Sequence, residues 1–444
     1  MVEGFTLRPY QSAHLAFHIA KKRSLNLSHP GTGKTPTACL YIQYLNRIEK
    51  AIVAFVMPKS LLKKNYDELL RFTDFLPEEV AVVDGTPKKR EEIYANPKVK
   101  VFLMGFDCFS REWQKLPKEF NGVVVDEFHM GYKTNDSKRT QSFYGAMNRV
   151  KFFLGMTGTL IDGRLSSAYP AIRVIEPRYY ASYKNFLYQH AITDDFGTVI
   201  EWTNHAKIKR ILAREAVAMT FEEAYKGSPK PIIIPEECGM DKVHLNAYKE
   251  FEDKALLELE DNYLTDSGSG GVHQMRCRQI LEAPESIGLE GIPYLGKDEM
   301  LKVHLEDTKN SGKPLLIFSV FTAEQERLVK LCEEYGLRTG LINGSISGKN
   351  RSKIDQDFRA GRLDVVIGSP ETMAVGFNWE HVDTVIFVSI DYKDSNWKQA
   401  IQRADRGGRK YPLRVYRLFY DVKVEHRLFE IIKRKQEDSR KVGY

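Results

Sequence analysis

The chain has 444 residues, 42% hydrophobic and 28% charged, which excludes a disordered or fibrous protein and predicts two or three globular domains. The net charge of +7 excludes a histone-like DNA coat, but 15 Lys and Arg against 7 Asp and Glu in Lys393–Tyr444 allow one basic groove. Five separated cysteines, no secretion signal and no apolar run longer than Ala51–Met57 predict a reduced cytoplasmic protein without disulfides, zinc or a membrane span.

Short apolar runs alternate along the chain with amphipathic stretches, a pattern typical of buried parallel strands joined by helices. The predicted strands are Ala51–Met57, Val99–Met104, Val123–Val125 and Phe152–Leu154, then Leu315–Phe318, Val365–Gly368, Thr384–Val388 and Val415–Phe419. The predicted helices are Pro36–Ile48, Leu245–Leu259 and Met300–Leu305, and Ser267–Gly271 predicts an exposed loop.

A weak internal sequence similarity supports two similar α/β lobes joined near Lys226–Pro235. Val83–Thr86 and Ile342–Ser345 each place a Gly and a hydroxyl residue after the end of a strand, and basic residues follow both segments.

Phe186–Trp202 alternates between apolar and polar residues on both sides of a turn, which predicts a β-hairpin. If its aromatic tip, Phe196, is exposed, it could act as a wedge between base pairs; the alternative is a purely structural hairpin.

Ser28–Thr35 (SHPGTGKT) precedes a predicted helix and has the composition of a phosphate-binding loop. Its two glycines allow backbone N–H groups to curl around phosphate oxygens, Lys34 can reach the β- and γ-phosphates, and the Thr35 hydroxyl can ligate Mg²⁺. Ser28 stands where the strict pattern has its first glycine.

Asp126 and Glu127 directly follow the predicted strand at Val123–Val125. Hydrolysis of a phosphoanhydride needs one carboxylate on the metal and one that orients or deprotonates the attacking water. Asp126 fits the first role and Glu127 the second, whereas the bland alternative is a solvated acidic turn.

Taken in chain order, these motifs and four others resemble the core of superfamily 2 helicases. They are LRPYQ from Leu7, the SHPGTGKT loop, DEFH from Asp126, TGT from Thr157, TMAVGFN from Thr372 and QAIQRADR from Gln399. The resemblance runs from residue 7 to about 410. It implies two tandem RecA-like lobes, residues 1–228 and 229–444, with ATP and Mg²⁺ in the cleft between them.

The resemblance also implies roles for individual residues. Catalysis is assigned to Lys34, Asp126, Glu127, Arg403 and Arg406, and the metal to Thr35 and Asp126. Nucleotide binding is assigned to Arg8, Gln11, Pro30, Gly31, Thr32, Gly33, Lys34, Thr35, Gly376 and Asn378. Gln11 would hydrogen-bond the base edge.

Arg403 and Arg406 also have a physical account of their own. Because they are three residues apart, both guanidinium groups can point from one helix face at one target. If that target is the γ-phosphate, such an arginine contributes on the order of 10³–10⁵ in rate. The alternative is a solvated basic face.

Predicted contacts to a polynucleotide lie mainly after strands, at the edge where open α/β sheets bind ligands. They are Lys59, Ser60, Lys63, Thr157, Ser319, Thr322, Gly344, Ser345, Lys349, Arg351 and Thr372. Binding through phosphates predicts strong salt dependence.

The wording of the motifs, from MPKSLLKKNYDELL to NWKQAIQRADRGGRK, resembles the Swi/Snf-type branch of duplex DNA translocases. Met373 and Ala374 replace that branch's paired glycines, and Arg409 replaces its glutamine. Since six residues precede the first motif, no accessory domain is expected and chromatin remodelling is disfavoured. The closer resemblance is to compact phage-encoded branch-migration helicases of the UvsW type, which would act in the host cytoplasm.

The function predicted is therefore that of an ATP-dependent DNA helicase or translocase on branched or forked DNA, in replication, recombination or repair. We expect a monomeric motor that binds duplex or branched DNA, and that can work with replication or recombination proteins. The alternatives are an RNA helicase of the same superfamily, a motor subunit of a restriction or nuclease complex, and an inactive scaffold that binds ATP.

Overall fold

The computed structural model of the protein describes residues 6–441 except 162, 163, 196, 198, 266–271, 290, 291, 293, 294, 374, 375, 392 and 393. Within these residues, no helix has both the length and the apolar character that crossing a bilayer requires. The chain divides into two compact units, whose main boundary lies between Ala224 and Tyr225; the described part of Thr193–Ile200 groups with the second unit, and the described residues from Asp438 onward group with the first.

A parallel sheet of seven described strands, in the order β3-β4-β2-β5-β6-β1-β9, forms the centre of the first unit. The strands are β1 (Arg23–Asn26), β2 (Ile52–Met57), β3 (Val80–Val82), β4 (Val101–Gly105), β5 (Phe120–Val125), β6 (Phe152–Met156) and β9 (Ala216–Val217). A separate two-stranded sheet pairs β7 (Ala191–Thr193) with β8 (Val199–Trp202).

Helices connect the strands of the first unit. They are α1 (Pro9–Lys21), α2 (Lys34–Arg47), α3 (Leu62–Phe72), α4 (Pro87–Ala95), α5 (Phe106–Glu112), α6 (Phe128–Gly131), α7 (Lys138–Met147), α8 (Tyr169–Ile175), α9 (Tyr183–His190), α10 (His205–Glu215) and α11 (Phe221–Ala224). β2 is buried at every position, which explains why its sequence is a continuous apolar run.

The second unit has a parallel sheet of six described strands in the order β10-β15-β14-β11-β13-β12. The strands are β10 (Ile232–Cys238), β11 (Leu315–Phe318), β12 (Thr339–Ile342), β13 (Val365–Gly368), β14 (Thr384–Phe387) and β15 (Arg414–Tyr420). The helices are α12 (Lys242–Thr265), α13 (Val272–Glu282), α14 (Gly296–Ser311), α15 (Thr322–Glu334), α16 (Gly348–Arg359), α17 (Pro370–Met373), α18 (Asp394–Ala404) and α19 (Lys423–Lys441).

The two main sheets have one topology. If the first six strands of each unit are numbered from one, both sheets follow the order 3-4-2-5-6-1. The two similar sequence segments, Val83–Thr86 and Ile342–Ser345, lie at the end of the third strand of each unit, which is β3 in the first and β12 in the second. The prediction of two tandem, mostly parallel α/β lobes is confirmed.

The predicted hairpin is present but shorter than expected. Its strands are β7 and β8, whereas Phe186–His190 belongs to helix α9. Phe196, at the predicted tip, lies outside the described residues, and so does the predicted loop at Ser267–Gly271. The wedge role therefore stays a prediction.

Candidate nucleotide and polynucleotide site

The loop between β1 and α2 curls because two of its glycines take left-handed backbone angles. Gly31 has φ 82° and Gly33 has φ 81°, a region that side chains other than glycine rarely adopt. Gly33 is the N-cap of α2, and a Cβ atom there would lie 2.5 Å from Nε2 of Gln11. The loop therefore presents the backbone donors at the start of α2, which suits an anion.

Lys34 and Thr32 are held by the loop itself. Nζ of Lys34 donates to the Ser28 carbonyl oxygen at 2.8 Å, and Oγ1 of Thr32 donates to the His29 carbonyl oxygen at 2.7 Å. The Ser28 hydroxyl is buried and has no hydrogen-bond partner among the described residues. A buried hydroxyl left in this state inside a glycine-rich loop fits a site that a phosphate oxygen completes.

The predicted base-reading element lies directly on this loop. Nε2 of Gln11 donates to the Gly33 carbonyl oxygen at 2.9 Å, and Oε1 of Gln11 accepts from the Arg8 backbone N–H at 2.9 Å. The Tyr10 hydroxyl donates to the Thr32 carbonyl oxygen at 2.5 Å. The start of α1 and the phosphate loop thus form one hydrogen-bonded unit.

Asp126 follows β5 at the carboxyl edge of the first sheet. Its backbone N–H donates to the Val56 carbonyl oxygen at 2.8 Å, and Oδ1 accepts from the backbone N–H of Glu127 at 3.0 Å. Burial raises the pKa of Asp126, and the charge of Glu127 raises it further, while Lys34 and Lys64 act in the opposite direction. A buried carboxyl of this kind needs a cation to remain ionised, which fits a ligand of Mg²⁺.

Glu127 stands at a strained backbone position, with φ 49°. Its Oε2 atom is buried without a hydrogen-bond partner in the described part of the chain, and it lies 3.6 Å from Nδ1 of His129. The same nitrogen lies 2.8 Å from Oγ1 of Thr157, which also accepts from the Thr159 backbone N–H at 3.0 Å. This chain of contacts connects the acid after β5 to the loop after β6.

The two arginines of the second unit share one acceptor. The guanidinium groups of Arg403 and Arg406 donate to the Phe377 carbonyl oxygen at 3.3 and 3.1 Å. Burial lowers the pKa of Arg406, whose Nε atom is buried and has no described hydrogen-bond partner. Oδ1 of the neighbouring Asn378 is likewise buried and lacks a hydrogen bond to any described residue. This incompletely satisfied guanidinium suits an anionic ligand.

Arg409, which departs from the related family pattern, is a structural residue. One guanidinium nitrogen donates to the carbonyl oxygens of Glu380, Val382 and Ala404 at 3.1, 2.9 and 3.1 Å. The other pairs with Oδ1 of Asp383 at 2.7 Å, and only 6% of the Arg409 side chain is exposed. Arg409 thus ties the end of α18 to the turn before β14.

Several predicted polynucleotide contacts are exposed where strands end. They are Lys59, Ser60, Lys63, Thr322, Gly344, Ser345 and Lys349. Lys59 pairs with Asp84 at 3.0 Å, between side chains that are mostly exposed, so that a phosphate can compete for this lysine. Within each unit these residues lie at the carboxyl edge of the sheet.

Other predicted contacts are engaged inside the protein. Thr157 and Ser319 are completely buried; the first meets His129, and the second donates from Oγ to Oε2 of Glu324 at 2.5 Å. Ser389 Oγ donates to the same Glu324 atom at 2.6 Å. Both hydroxyls are thus engaged inside their own unit, where they fix the loops on which they stand, and their contact with a polynucleotide stays a prediction.

Two further predicted contacts, Thr372 and Arg351, form hydrogen bonds with other groups of the protein. Thr372 accepts at Oγ1 from Ser369 Oγ at 2.7 Å. A guanidinium nitrogen of Arg351 donates to the Asn343 carbonyl oxygen at 2.8 Å. Both side chains are partly exposed in their own unit.

Sequence reasoning missed two side chains near the nucleotide site, namely His129, which contacts Thr157, and Lys64, whose charge lowers the pKa of Asp126. His129 stands inside the quoted DEFH motif, and its position two residues after Glu127 was the available signal. Lys64 and Glu68 are four residues apart on α3, and this spacing alone indicates only an ordinary surface pair.

Two family models match the chain. "Type III restriction enzyme, res subunit" matches residues 4–162, and "Helicase conserved C-terminal domain" matches residues 296–411. The first match contains the phosphate loop and both carboxylates, and the second contains both arginines.

Among curated proteins, an uncharacterized ATP-dependent helicase of Mycoplasma pneumoniae is 24% identical over 92% of this chain. The ISWI chromatin-remodeling complex ATPase ISW1 of Saccharomyces cerevisiae is 24% identical over 96%, and the probable ATP-dependent DNA helicase CHR12 of Arabidopsis thaliana is 25% identical over 100%. The matched parts are 39%, 39% and 42% of these relatives, so the chain spans about two fifths of their length.

Among solved structures, the Sulfolobus solfataricus SWI2/SNF2 ATPase core in complex with double-stranded DNA is similar, with 19% identity and a TM-score of 0.46. The similarity covers 99% of this chain and 97% of that one.

Proposed function

We propose that this chain is a superfamily 2 helicase core and acts as an ATP-driven translocase of the Swi/Snf-like kind on DNA, which the matches to two family models support. One observation carries the proposal. The same chain contains the phosphate loop with Lys34, the two carboxylates after β5, and two arginines that donate to one carbonyl oxygen. The substrate we infer is duplex DNA with forks or branches.

In this proposal the first unit holds ATP. The backbone donors at the start of α2 and the Lys34 ammonium bind the phosphates, and Gln11 binds the base edge. Thr35 and Asp126 would hold Mg²⁺, which neutralises phosphate charge when bound. Glu127 orients and deprotonates the attacking water, and its Oε2 atom, which accepts no hydrogen bond from any described residue, is the acceptor available for that proton.

The second unit supplies the arginines. Arg406 combines a partly buried side chain with a buried Nε atom that no described residue satisfies, and we assign it to the charge that develops on the γ-phosphate. Arg403 donates to the carbonyl oxygens of both Gln399 and Phe377. We assign it two roles: it fixes the position of Arg406, and it contributes positive charge near the γ-phosphate. Hydrolysis would then require groups from both units.

We assign the exposed residues at the carboxyl edges of both sheets to the DNA backbone, since lysines and hydroxyl groups are typical phosphate contacts. The names of two relatives, a probable DNA helicase and a chromatin-remodelling ATPase, favour DNA over RNA. The resemblance to UvsW-type helicases favours branched DNA and a monomeric motor in replication, recombination or repair. A second candidate, the motor subunit of a restriction complex, is favoured by the family model matched at residues 4–162.

ATP hydrolysis measured with single-stranded, duplex, forked and four-way DNA, and with RNA, tests this proposal. We expect duplex and branched DNA to stimulate hydrolysis, and binding to weaken steeply between low and moderate salt. Stimulation by RNA alone, or by none of these polymers, would overturn the substrate assignment. Glu127→Gln is the control, because it should retain nucleotide and barely hydrolyse it.

A further inference from the structure

The connector (residues 218–231) joins β9 of the first unit to β10 of the second. Helix α11 lies in its middle, and the main boundary between the units follows this helix directly, between Ala224 and Tyr225. Connector residues before the boundary bond to the phosphate loop of the first unit, and residues after it contact the turn that follows α18 in the second. The connector therefore touches one segment in each unit that the proposed function assigns to ATP.

The first half of the connector is fixed to the phosphate loop through His29. The His29 backbone N–H donates to the Met219 carbonyl oxygen at 2.9 Å, which extends the pairing of β1 with β9. The Phe221 backbone N–H donates to Nδ1 of the same histidine at 3.4 Å. Phe221 is the first residue of α11. The start of this helix is therefore bonded to a residue of the phosphate loop itself.

The second half of the connector packs on the turn that follows Arg406. The aromatic ring of Tyr225 lies directly against Gly407, where an added Cβ atom would overlap the ring. The Gly408 backbone N–H donates to Oγ of Ser228 at 3.2 Å. Since Gly408 has φ 94°, the turn depends on glycine, and glycines have no side chains with which to hold it in place. The connector supplies a ring and a hydroxyl group that do so.

Arg406 directly precedes this turn, so its backbone moves with Gly407. Its guanidinium donates to the Phe377 carbonyl oxygen at 3.1 Å, and its side chain is partly exposed in its own unit. After the turn, the side chain of Arg409 donates to three carbonyl oxygens and pairs with one carboxylate. The turn is thus anchored by Arg409 at one end, and Tyr225 packs on it at the end next to Arg406.

We propose that Tyr225 is a positioning residue for Arg406, and that the connector couples the phosphate loop to the turn beside this arginine. The inference rests on the proposed function, in which Arg406 acts on the charge of the γ-phosphate. Phe221 and Tyr225, the two anchored residues, are separated by a single turn of helix. A displacement of the phosphate loop when nucleotide binds is therefore passed to the turn at Gly407 with little flexible chain in between.

The position of Arg406 matters because an arginine stabilises a transferring phosphoryl group only in close and well-aligned contact. Misplacement of a catalytic group by about 1 Å can lower a rate about 10²-fold. The ring of Tyr225 is rigid and rests on backbone, so ordering it costs less entropy than ordering a long flexible side chain would. It is therefore suited to holding a glycine turn in one position.

A double-mutant cycle of single-turnover ATP hydrolysis at saturating duplex DNA tests the inference, with ATP binding measured separately for each protein. The cycle contains Tyr225→Ala, Arg406→Ala and the combination of the two. Tyr225→Phe keeps the ring, and Ser228→Ala is a milder second variant that removes only the hydroxyl bonded to Gly408. Tyr411→Ala is the matched control, because Tyr411 lies in the same loop after α18 and is 76% exposed. Thermal unfolding verifies that every variant is folded.

We expect Tyr225→Ala to lower the single-turnover rate about 10–100-fold while ATP affinity stays close to that of the wild type. Ser228→Ala should show a smaller loss of the same kind, and Tyr225→Phe and Tyr411→Ala should keep most of the rate. In the Arg406→Ala background, Tyr225→Ala should have little further effect, because two residues that act as a unit are not additive. A merely structural role would instead lower the rate by the same factor in both backgrounds.

Insertion of two glycines between Ala224 and Tyr225 tests the coupling itself, because both anchors keep their contacts while flexible residues separate them. We expect this variant to bind ATP as the wild type does and to hydrolyse it more slowly. The control is the same insertion after Gly312, in an exposed loop between α14 and β11. A wild-type rate in the connector variant, or an equal loss in the control, would overturn the coupling.

Undiminished hydrolysis in Tyr225→Ala and Ser228→Ala would overturn the inference, and so would the same fold-loss for Tyr225→Ala in both backgrounds. Failure of the proposed function has a different signature, because Arg406→Ala would then hydrolyse ATP at the wild-type rate. That result removes the role of Arg406 and, with it, the inference. Slow hydrolysis in Arg406→Ala together with a wild-type rate in Tyr225→Ala overturns the inference alone.

Discussion

Nδ1 of His129 lies 2.8 Å from Oγ1 of Thr157, and this contact joins the loop after β5 to the loop after β6. His129 also lies 3.6 Å from Glu127, the residue assigned to the attacking water. Since the Thr157 hydroxyl accepts from Thr159, its own proton can be donated to the imidazole. The position of Glu127 therefore depends, through His129, on a buried threonine in the neighbouring loop.

We expect Thr157→Val to lower the DNA-stimulated turnover about 10–100-fold, because small misplacements of a catalytic group have costs of that order. Nucleotide affinity should remain close to that of the wild type. Steady-state hydrolysis and fluorescent-nucleotide binding measure the two effects. Thr157→Ser keeps the hydroxyl and should restore most of the activity; equal losses in both variants would contradict the role.

His18 predicts a pH dependence of stability. It is completely buried against Ser24, with 2.8 Å between Nδ1 and Oγ, and burial lowers its pKa from 6.5 to about 3, with a smaller effect from His14. Between these values the unfolded chain binds a proton that the folded one does not, so the free energy of unfolding falls as pH drops from 6.5 toward 3.

His18→Gln, measured by urea unfolding at pH 7 and pH 5, should lose less stability between the two pH values than the wild type does. His426→Gln is the control, because His426 is mostly exposed. The same pH dependence in wild type and His18→Gln would show that other groups cause it.

Arg409→Gln should destabilise the protein by about 1.5–3 kcal/mol, the range for hydrogen bonds of a charged group. The reason is that three carbonyl oxygens lose their shared donor near the end of α18. Thermal and urea unfolding measure the effect. The control is Arg414→Gln, since Arg414 is exposed and its side chain donates to the Thr384 hydroxyl at 3.0 Å. Comparable losses in the two variants would refute the structural role of Arg409.

Ser319 and Thr322 should behave differently although both follow β11. Thr322→Ala should weaken duplex DNA binding, because its side chain is exposed at the edge of the sheet. Ser319→Ala should instead lower stability by about 0.5–1.5 kcal/mol through loss of the bond to Glu324. Salt-dependent DNA binding and urea unfolding separate the two effects, and a larger loss of DNA affinity in Ser319→Ala than in Thr322→Ala would reverse the assignment.

The strands that are buried on both faces were predictable, because β2, β11 and β13 are uninterrupted apolar runs. β1 was not, since its sequence RSLN is mostly polar although three of its four residues are buried. The polar groups of β1 are satisfied by neighbours: Ser24 meets His18, and Asn26 Oδ1 accepts from the Ser28 backbone N–H at 3.2 Å. Edge strand β10 was also missed, since it is partly exposed and contains Pro235, which an edge tolerates.

At the candidate site, the short sequence motifs could be predicted, but the hydrogen-bond partners of individual side chains could not. The phosphate loop and the carboxylate pair are short segments whose chemistry depends on adjacent residues. In contrast, the burial of Ser319 depends on Glu324 and Ser389, and the second of these comes from a different strand end. The four acceptors around Arg409, three carbonyl oxygens and the Asp383 carboxylate, likewise come together only through folding, so a departure from the family pattern at this position could not be explained from sequence.

In the proposed function, ATP bound by the first unit is hydrolysed with the help of Arg406 from the second. Single-turnover hydrolysis at saturating duplex DNA, compared between wild type and Arg406→Ala after ATP binding has been measured for both, tests it most directly. We expect near-normal ATP binding and a rate lowered about 10³-fold or more in Arg406→Ala. A rate within a few-fold of the wild type would contradict it.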